Sequence, residues 1–214
     1  TLRNSSAASD VYKRQGLNPT NLDLPKFVLG ASTHEGEEEI LLQAFKKIGV
    51  KCSRKLFICP RHPDRAKEVL TLAMKMNLKT QLYSQLSQED YEVCVIDSIG
   101  LLPDFYKGAD LAFVGGSLVP RGGHNLIEPA VLGTPIIVGK HTFNFEEITA
   151  NFINQDACLL VNNENELYEA MQSILEDENL RDRLLKNAEN VVSLNQGSTQ
   201  TQVSYILNKL GEEY

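Results

Sequence analysis

The sequence predicts an α/β domain built on a doubly wound parallel sheet, and two observations carry this prediction. Short runs of consecutive apolar residues alternate along the chain with longer amphipathic segments. A strand that is apolar on both sides is buried on both sides, as in parallel sheets covered by helices. The 214 residues, 42% of them hydrophobic, suffice for one such core, and their apolar runs are far shorter than the roughly 20 residues of a membrane span.

Each predicted strand is a short run of apolar, β-branched or aromatic residues. In chain order these strands are residues 27–33, 56–59, 80–83, 93–97, 111–114, 135–138 and 157–161. The helices are predicted from apolar residues that return every three or four positions, as Ile40, Leu41, Ala44, Phe45 and Ile48 do in the first. The predicted helices are residues 35–48, 63–76, 101–106, 125–132, 144–153, 164–175, 178–192 and 198–210.

The domain organisation is simple. No repeat or low-complexity linker divides residues 16–214, which we expect to form one domain. Residues 1–15 are mostly small, polar or basic and follow neither hydrophobic period, so we expect a disordered or non-native tail there.

The composition disfavours two classes of binding partner. With 21 Lys and Arg against 28 Asp and Glu, the net charge is −7, which disfavours nucleic acid and anionic membranes as partners. An anionic ligand must therefore be bound by a local group of residues. The four cysteines form no CxxC pair and the four histidines are scattered, so we predict neither a metal site nor another cofactor.

Polar residues follow several predicted strands, at the edge where ligands bind in such sheets. In residues 31–38, Ser32 or Thr33 is the expected cap of the next helix, and a capping sequence is the favoured interpretation on chemistry alone. Arg61 leaves a strand tip after Pro60. A guanidinium in a rigid loop there can hold a phosphate through two hydrogen bonds or simply remain solvated.

Two later segments have the same placement. Residues 99–101 form a turn before a short helix, and its N–H groups fit an anion or a base edge, although a plain βα turn has the same pattern. Residues 115–123 contain four glycines, which allow close approach of a ligand. We expect Asn125 to cap a helix directed at a phosphate and Glu128 to accept hydrogen bonds from a ribose. His124 fits a packing role and a ligand role equally well.

Together these segments resemble the C-terminal, donor-binding domain of the 3-deoxy-D-manno-octulosonic acid (Kdo) transferases, which are GT-B glycosyltransferases of family 30. The motifs are ASTHEGEE at 31–38, PRH at 60–62, ADLAFVGGS at 109–117, RGGHN at 121–125 and HTFNF at 141–145. The resemblance implies that the sheet is the Rossmann-like C-terminal half of a GT-B enzyme. This chain has Leu101 where the family usually has Glu, so the resemblance supports backbone contacts there rather than a side-chain role.

The family implies transfer of Kdo from CMP-Kdo to the lipid A precursor in lipopolysaccharide biosynthesis. The reaction inverts the anomeric carbon, and the parent enzyme works at the cytoplasmic face of the bacterial inner membrane. Residues 16–214 are then the CMP-Kdo binding domain. The acceptor surface, the membrane anchor and the general-base Glu belong to an N-terminal domain that we expect to be absent from this chain. We therefore predict no catalytic residue here, and a soluble fragment that is inactive by itself.

The resemblance also assigns residues to the donor. Carried over by matching motif, the CMP contacts are Pro60, Arg61, Ile99, Gly100, Leu101, Asn125, Leu126, Ile127 and Glu128. Residues at the same edge that we expect near the phosphate or the Kdo carboxylate are Ser32, His34, Gly116, Ser117, Gly122, Gly123 and His124.

Two alternatives remain open. One is the donor half of another GT-B enzyme that uses a UDP-sugar, and competition between CMP and UMP separates it from the first hypothesis. The other is a non-catalytic nucleotide-binding module, which an upstream reading frame encoding an N-terminal domain would argue against.

Overall fold

A computed structural model describes residues 24–49, 53–87 and 90–211, with side chains as far as residue 194. The predicted tail at residues 1–15 lies outside these ranges. Cys52 also lies outside them, whereas Cys59, Cys94 and Cys158 are free thiols.

The described residues form one sheet of seven parallel strands. The strands are β1 (Phe27–Thr33), β2 (Lys55–Pro60), β3 (Thr80–Leu82), β4 (Val93–Val95), β5 (Leu111–Val114), β6 (Ile136–Gly139) and β7 (Leu159–Val161). Their order across the sheet is β3-β4-β2-β1-β5-β6-β7. In the central strand, Val28 lies opposite Leu56 of β2 and Leu111 of β5. This order confirms the doubly wound parallel sheet.

Helices cover both faces of the sheet. They are α1 (Glu37–Ile48), α2 (Ala66–Lys75), α3 (Leu102–Gly108), α4 (Ile127–Val131), α5 (Glu146–Asn154), α6 (Glu164–Glu176) and α7 (Glu178–Gly211). Helices α1, α2 and α6 pack on one face, and α3, α4 and α5 pack on the other. Helix α7 reaches both layers, through Leu184 and Ala188 respectively. Short 3-10 turns occur at Pro63–Arg65 and Tyr83–Gln85.

Apolar residues on both sides of each strand explain this layering. In β1, Phe27 and Leu29 pack with Phe105 of α3, whereas Val28 packs with Leu41 of α1 on the opposite face. All five side chains are at most 1% exposed. Burying a side chain of this size contributes about 1.5–3 kcal/mol relative to leaving it in water. Alternate residues of one strand therefore hold two helix layers against the sheet.

Some predicted boundaries are wrong, for local reasons. The predicted helices 178–192 and 198–210 form the single helix α7. No proline separates them, and one glycine costs a helix only about 1 kcal/mol. Helix α1 begins at Glu37 because Gly36, with φ 91°, is its N-cap in the left-handed region. Neither Ser32 nor Thr33 is therefore the cap. In the part of the chain that the structure describes, no helix is both long and apolar enough to cross a bilayer.

Candidate functional site

The sheet changes its direction of winding between β1 and β5. Strands β2, β4 and β3 lie on one side of β1, and β5, β6 and β7 lie on the other. At such a point the loops that follow the two central strands diverge and leave a crevice, where ligands of doubly wound sheets bind. Here the loops are residues 34–36 after β1 and residues 115–126 after β5. The candidate site lies between them.

The carboxylate of Glu37 ties the two loops together. Its Oε1 accepts hydrogen bonds from the N–H groups of Ser117 at 2.9 Å and Leu118 at 2.8 Å. Its Oε2 accepts from the N–H groups of Gly116 at 2.6 Å and His34 at 3.0 Å. Glu37 is fully buried, and these donors compensate for its lost hydration. The N–H groups of Gly116 and Ser117 are thus engaged within the chain.

The Ser117 side chain links β5 to β6. Its Oγ donates to the Val114 carbonyl at 2.5 Å and accepts from the Gly139 N–H at 2.8 Å. The residue is fully buried. The backbone of β1 lies so close to the backbone just after β5 that a Cβ on Gly115 would be 2.6 Å from the Ser32 carbonyl oxygen. Ser117, which we predicted to lie near a ligand anion, therefore supports the loop from the side of the sheet.

The rest of the β5–α4 loop is held by Asn144. The Asn144 Nδ2 donates to the Arg121 carbonyl at 3.0 Å, and its backbone N–H donates to the Gly122 carbonyl at 3.0 Å. Gly122 has φ 93°, and a Cβ there would overlap Asn144 Nδ2. The Gly123 N–H donates to the Gly116 carbonyl at 2.7 Å, which closes the loop on itself. These bonds fix the backbone on either side of Arg121.

Three histidines and two arginines gather at the crevice. The rings of His34 and His124 meet end to end, with planes 7° apart, ring centroids 5.4 Å apart and Nε2 atoms 3.1 Å apart. His62 lies edge-on to His34, with ring centroids 6.2 Å apart. Arg61 and Arg121 are exposed beside them. Among the described residues, neither arginine forms an ion pair.

The two paired histidines, His34 and His124, are neutral at pH 7. Burial first, and then Coulomb repulsion from His124, Arg121, His62 and Arg61, lowers the pKa of His34 to about 4. Burial and the same kind of repulsion also lower the pKa of His124. Although the whole chain carries a net charge of −7, the crevice therefore has a local excess of fixed positive charge. Such a site attracts an anion.

The loop that carries Arg61 is anchored to β1 and α1. The Arg61 N–H donates to the Thr33 carbonyl at 2.9 Å. Four residues later, Arg65 Nη1 lies 2.7 Å from Oε1 of Glu38, which also accepts a hydrogen bond from Thr33 Oγ1 at 3.1 Å. Burial raises the pKa of Glu38, and Arg65 opposes that rise. Arg61 thus stands on a rigid base, as expected for a residue that orients a ligand.

The other predicted contacts lie over α3 and α4. Residues 99–101 form the turn before α3, where Gly100 has φ 84° and Ile99 is 55% exposed. Glu128 is exposed in the first turn of α4. Burial, and then the Glu128 charge, raise the pKa of Tyr106 in α3, whose carbonyl accepts a hydrogen bond from Thr134 after α4. The turn and Glu128 therefore lie on adjacent elements at the same edge.

The structure corrects the expected role of Asn125. Its Oδ1 accepts from the Ile127 N–H at 3.0 Å in a turn, and Leu126 is the N-cap of the five-residue α4. Because the Leu126 side chain is fully buried, Leu126 can contact a ligand through its backbone atoms.

Pro60 is the last residue of β2, immediately before Arg61. Predicted residues from β2 and from the loops after β1 and β5 thus reach one crevice.

The structure adds residues that the sequence prediction of the site missed. Arg121 and His62 stand inside the quoted motifs, next to predicted residues, and their basic character was the available signal. Glu37 belongs to a run of three glutamates, and nothing local in the sequence distinguishes it from Glu39. The Ser98 hydroxyl, just before the turn 99–101, is buried without a hydrogen-bond partner among the described residues.

Two other features lie apart from the crevice. The described residues contain no cluster of three or more His, Cys, Asp or Glu that could hold a metal ion. A cavity of about 460 Å³, lined by Phe45, Lys46, Leu78 and Glu92 among others, opens at the amino ends of β2, β3 and β4. It shares no residue with the crevice and lies at the edge of the sheet opposite to the ligand edge.

The part of the chain that matches known proteins is the part that forms the sheet and its helices. Residues 27–191 match the family model for glycosyl transferases group 1. The 3-deoxy-D-manno-octulosonic acid transferase of Haemophilus influenzae is 38% identical over 176 residues, which are 80% of this chain and 41% of that protein. The enzyme of the same name from Aquifex aeolicus is 35% identical over 151 residues, 70% of this chain and 42% of that protein. The chain thus spans about two fifths of the length of these relatives.

A solved structure matches more completely. The C-terminal CMP-Kdo binding domain of WaaA from Acinetobacter baumannii superposes with a TM-score of 0.75 at 31% identity, covering 87% of this chain and 96% of that one. This match confirms the Rossmann-like GT-B half, and the sequence relatives confirm the resemblance to Kdo transferases. Because the family match runs from the first residue of β1 into α7, the chain belongs to the group 1 glycosyl transferases.

Proposed function

We propose that the chain binds CMP-Kdo and is the donor-binding domain of a Kdo transferase. The observation that carries this proposal is the crevice at the β1/β5 switch point, where Arg61 and Arg121 lie beside the His34–His124 pair without an acidic partner. The described site is thus built for an anionic ligand. Similarity to proteins named Kdo transferases and to a domain named for CMP-Kdo binding supports the choice of anion.

The chemistry of the donor fits these groups. When the glycosidic bond breaks, CMP leaves and its phosphate gains negative charge. A guanidinium held on a rigid loop stabilises that charge more in the transition state than in the bound donor, which is how binding energy accelerates a reaction. We assign this role to Arg61. We assign the ribose to Glu128 and the cytosine edge to the backbone of residues 99–101.

We assign the general base and the acceptor site to another domain. Two buried carboxylates lie near the crevice, and both are engaged: Glu37 by four N–H groups and Glu38 by Arg65. Neither is free to remove a proton from an acceptor. We further propose that the complete enzyme transfers Kdo to a lipid A precursor with inversion at the cytoplasmic face of the inner membrane. The isolated chain is then expected to bind the donor without transferring it.

Calorimetric titration of the folded chain with CMP, UMP and inorganic phosphate tests the proposal. Selective binding of CMP supports it. Equal binding of CMP and UMP favours a domain for another nucleotide sugar, and binding of phosphate alone identifies a general anion site. If circular dichroism shows a folded chain and none of the ligands binds, the proposal for the isolated chain is wrong.

A further inference from the structure

The His34–His124 pair can do more than line the crevice. With Nε2 atoms 3.1 Å apart, one ring must donate its N–H to the other while both rings are neutral. The Nδ1 of His34 has no hydrogen-bond partner among the described residues, whereas the Ser32 carbonyl lies near the His124 ring as an acceptor. The pair therefore retains one ring nitrogen that can accept a proton from solvent.

The charged groups around the pair determine the pH at which this ring nitrogen accepts a proton. Arg61 and His62 face it from the loop after β2, and Arg121 faces it from the loop after β5. On the side of α1, the Glu37 carboxylate is saturated by backbone N–H groups. Glu35, next to His34 in the chain, is exposed and acts on Arg65. In the free protein the pair is thus surrounded mainly by positive charge.

We propose that the His34–His124 pair is a subsite for an anionic group of the donor and that it takes up one proton from solvent when this group binds. The inference rests on the proposed function, and it adds a role for the pair. The proton adds to the ring nitrogen that does not face the partner ring, and the N–H between the rings is kept. The product is one positive charge held by two rings beside the anion.

Electrostatics gives the direction of this coupling. Without ligand, burial and like charges keep the pKa of His34 at about 4, so the pair stays neutral. An opposite charge within hydrogen-bonding distance raises such a pKa by roughly 1–3 units. The bound state therefore becomes protonated between about pH 5 and about pH 7, and affinity rises as pH falls. A third permanent cation would instead repel Arg61 and Arg121 in the free protein and would retain CMP after transfer.

Proton uptake on binding of CMP is the direct test. We would titrate the folded chain with CMP at about pH 6 in buffers of different ionisation enthalpy, and compare it with His34→Gln/His124→Asn. Both replacements keep an N–H donor but do not titrate. Protonation of CMP itself is common to all titrations and cancels in the comparison. His141→Gln is the matched control, because the His141 ring is not part of the pair.

The expected result is that the wild type takes up between about 0.1 and about 0.9 proton more than the double variant, as follows at about pH 6 for a pKa that rises from about 4 by roughly 1–3, and that His141→Gln behaves as the wild type. Equal uptake by wild type and double variant overturns the inference while leaving the proposed function intact. Failure of the wild type to bind CMP overturns both. If the double variant does not fold, ¹⁵N signals of the histidine rings in the wild type decide: rings that stay neutral with CMP bound refute the proposal.

Discussion

Glu37 is the residue that joins the two loops of the crevice. Glutamine at this position has one acceptor oxygen instead of two and places an NH₂ group against backbone donors. We expect Glu37→Gln to lower the free energy of unfolding by about 3 kcal/mol, as buried groups that lose charged partners do. Urea denaturation measures this change. Glu39→Gln is the control, because Glu39 is exposed and receives only a 3.4 Å hydrogen bond from Gln43. Equal losses in both variants would contradict the role of Glu37.

Arg61 is the residue that we expect to contribute most to phosphate binding. Arg61→Ala should weaken CMP binding by about 1.5–3 kcal/mol, the range of a charge-assisted hydrogen bond, or roughly 10- to 150-fold in Kd. Calorimetry gives the affinity. Lys67→Ala removes the same charge from an exposed position on α2 and should leave affinity almost unchanged. If the two variants bind equally well, Arg61 does not contact the phosphate.

Glu128 is the residue that we expect to bind the ribose hydroxyls. A carboxylate can accept hydrogen bonds from both hydroxyls of the diol, whereas an amide offers one acceptor. Glu128→Gln should therefore reduce the preference for CMP over 2′-deoxy-CMP by roughly tenfold. Competition binding of the two nucleotides measures the preference. Glu169→Gln, on the exposed side of α6, is the charge control. A Glu128→Gln variant that keeps the full preference removes Glu128 from the ribose site.

At the scale of elements, the β5–α4 loop depends on Gly122. Alanine there meets two penalties, a φ of 93° and an overlap of its Cβ with Asn144 Nδ2. Gly133→Ala is a matched control, because Gly133 has φ 73° but open space around the added Cβ. We expect a loss of about 1 kcal/mol for Gly133→Ala and about 2–4 kcal/mol for Gly122→Ala in urea denaturation. Equal losses would mean that the Asn144 contact gives way without cost.

The elements could be predicted from the sequence because their signals are local. Seven apolar runs between polar segments predicted all seven strands, and right-handed crossovers then favour one sheet with helices on both faces. The internal bonds of the site could not be predicted in this way. Glu37 bonds residues that lie 79 to 81 positions away, and no period in the sequence marks such a pair. Motif resemblance located the crevice, but only the folded chain shows which donors in it are already engaged.

At the scale of the whole molecule, net charge and local charge have opposite signs. The excess of acidic residues repels anions at long range, whereas the arginines of the crevice attract them at contact. Salt screens both effects over a Debye length of about 8 Å at physiological ionic strength. We therefore expect an anionic donor to be selected at the crevice itself. The same arrangement affects the stability of the free protein.

The free energy of unfolding should fall between about pH 6.5 and about pH 4, because the pKa of His34 is 6.5 in the unfolded chain and about 4 in the folded one. Below 6.5 the unfolded chain binds a proton that the folded chain excludes, so stability is full above this pH and is lost as pH falls. The lowered pKa of His124 acts in the same direction. Urea denaturation at about pH 7 and about pH 5 should show a smaller loss for His34→Gln than for the wild type, whereas His141→Gln should lose as much as the wild type. Equal losses for His34→Gln and wild type would mean that the pair is already protonated without ligand.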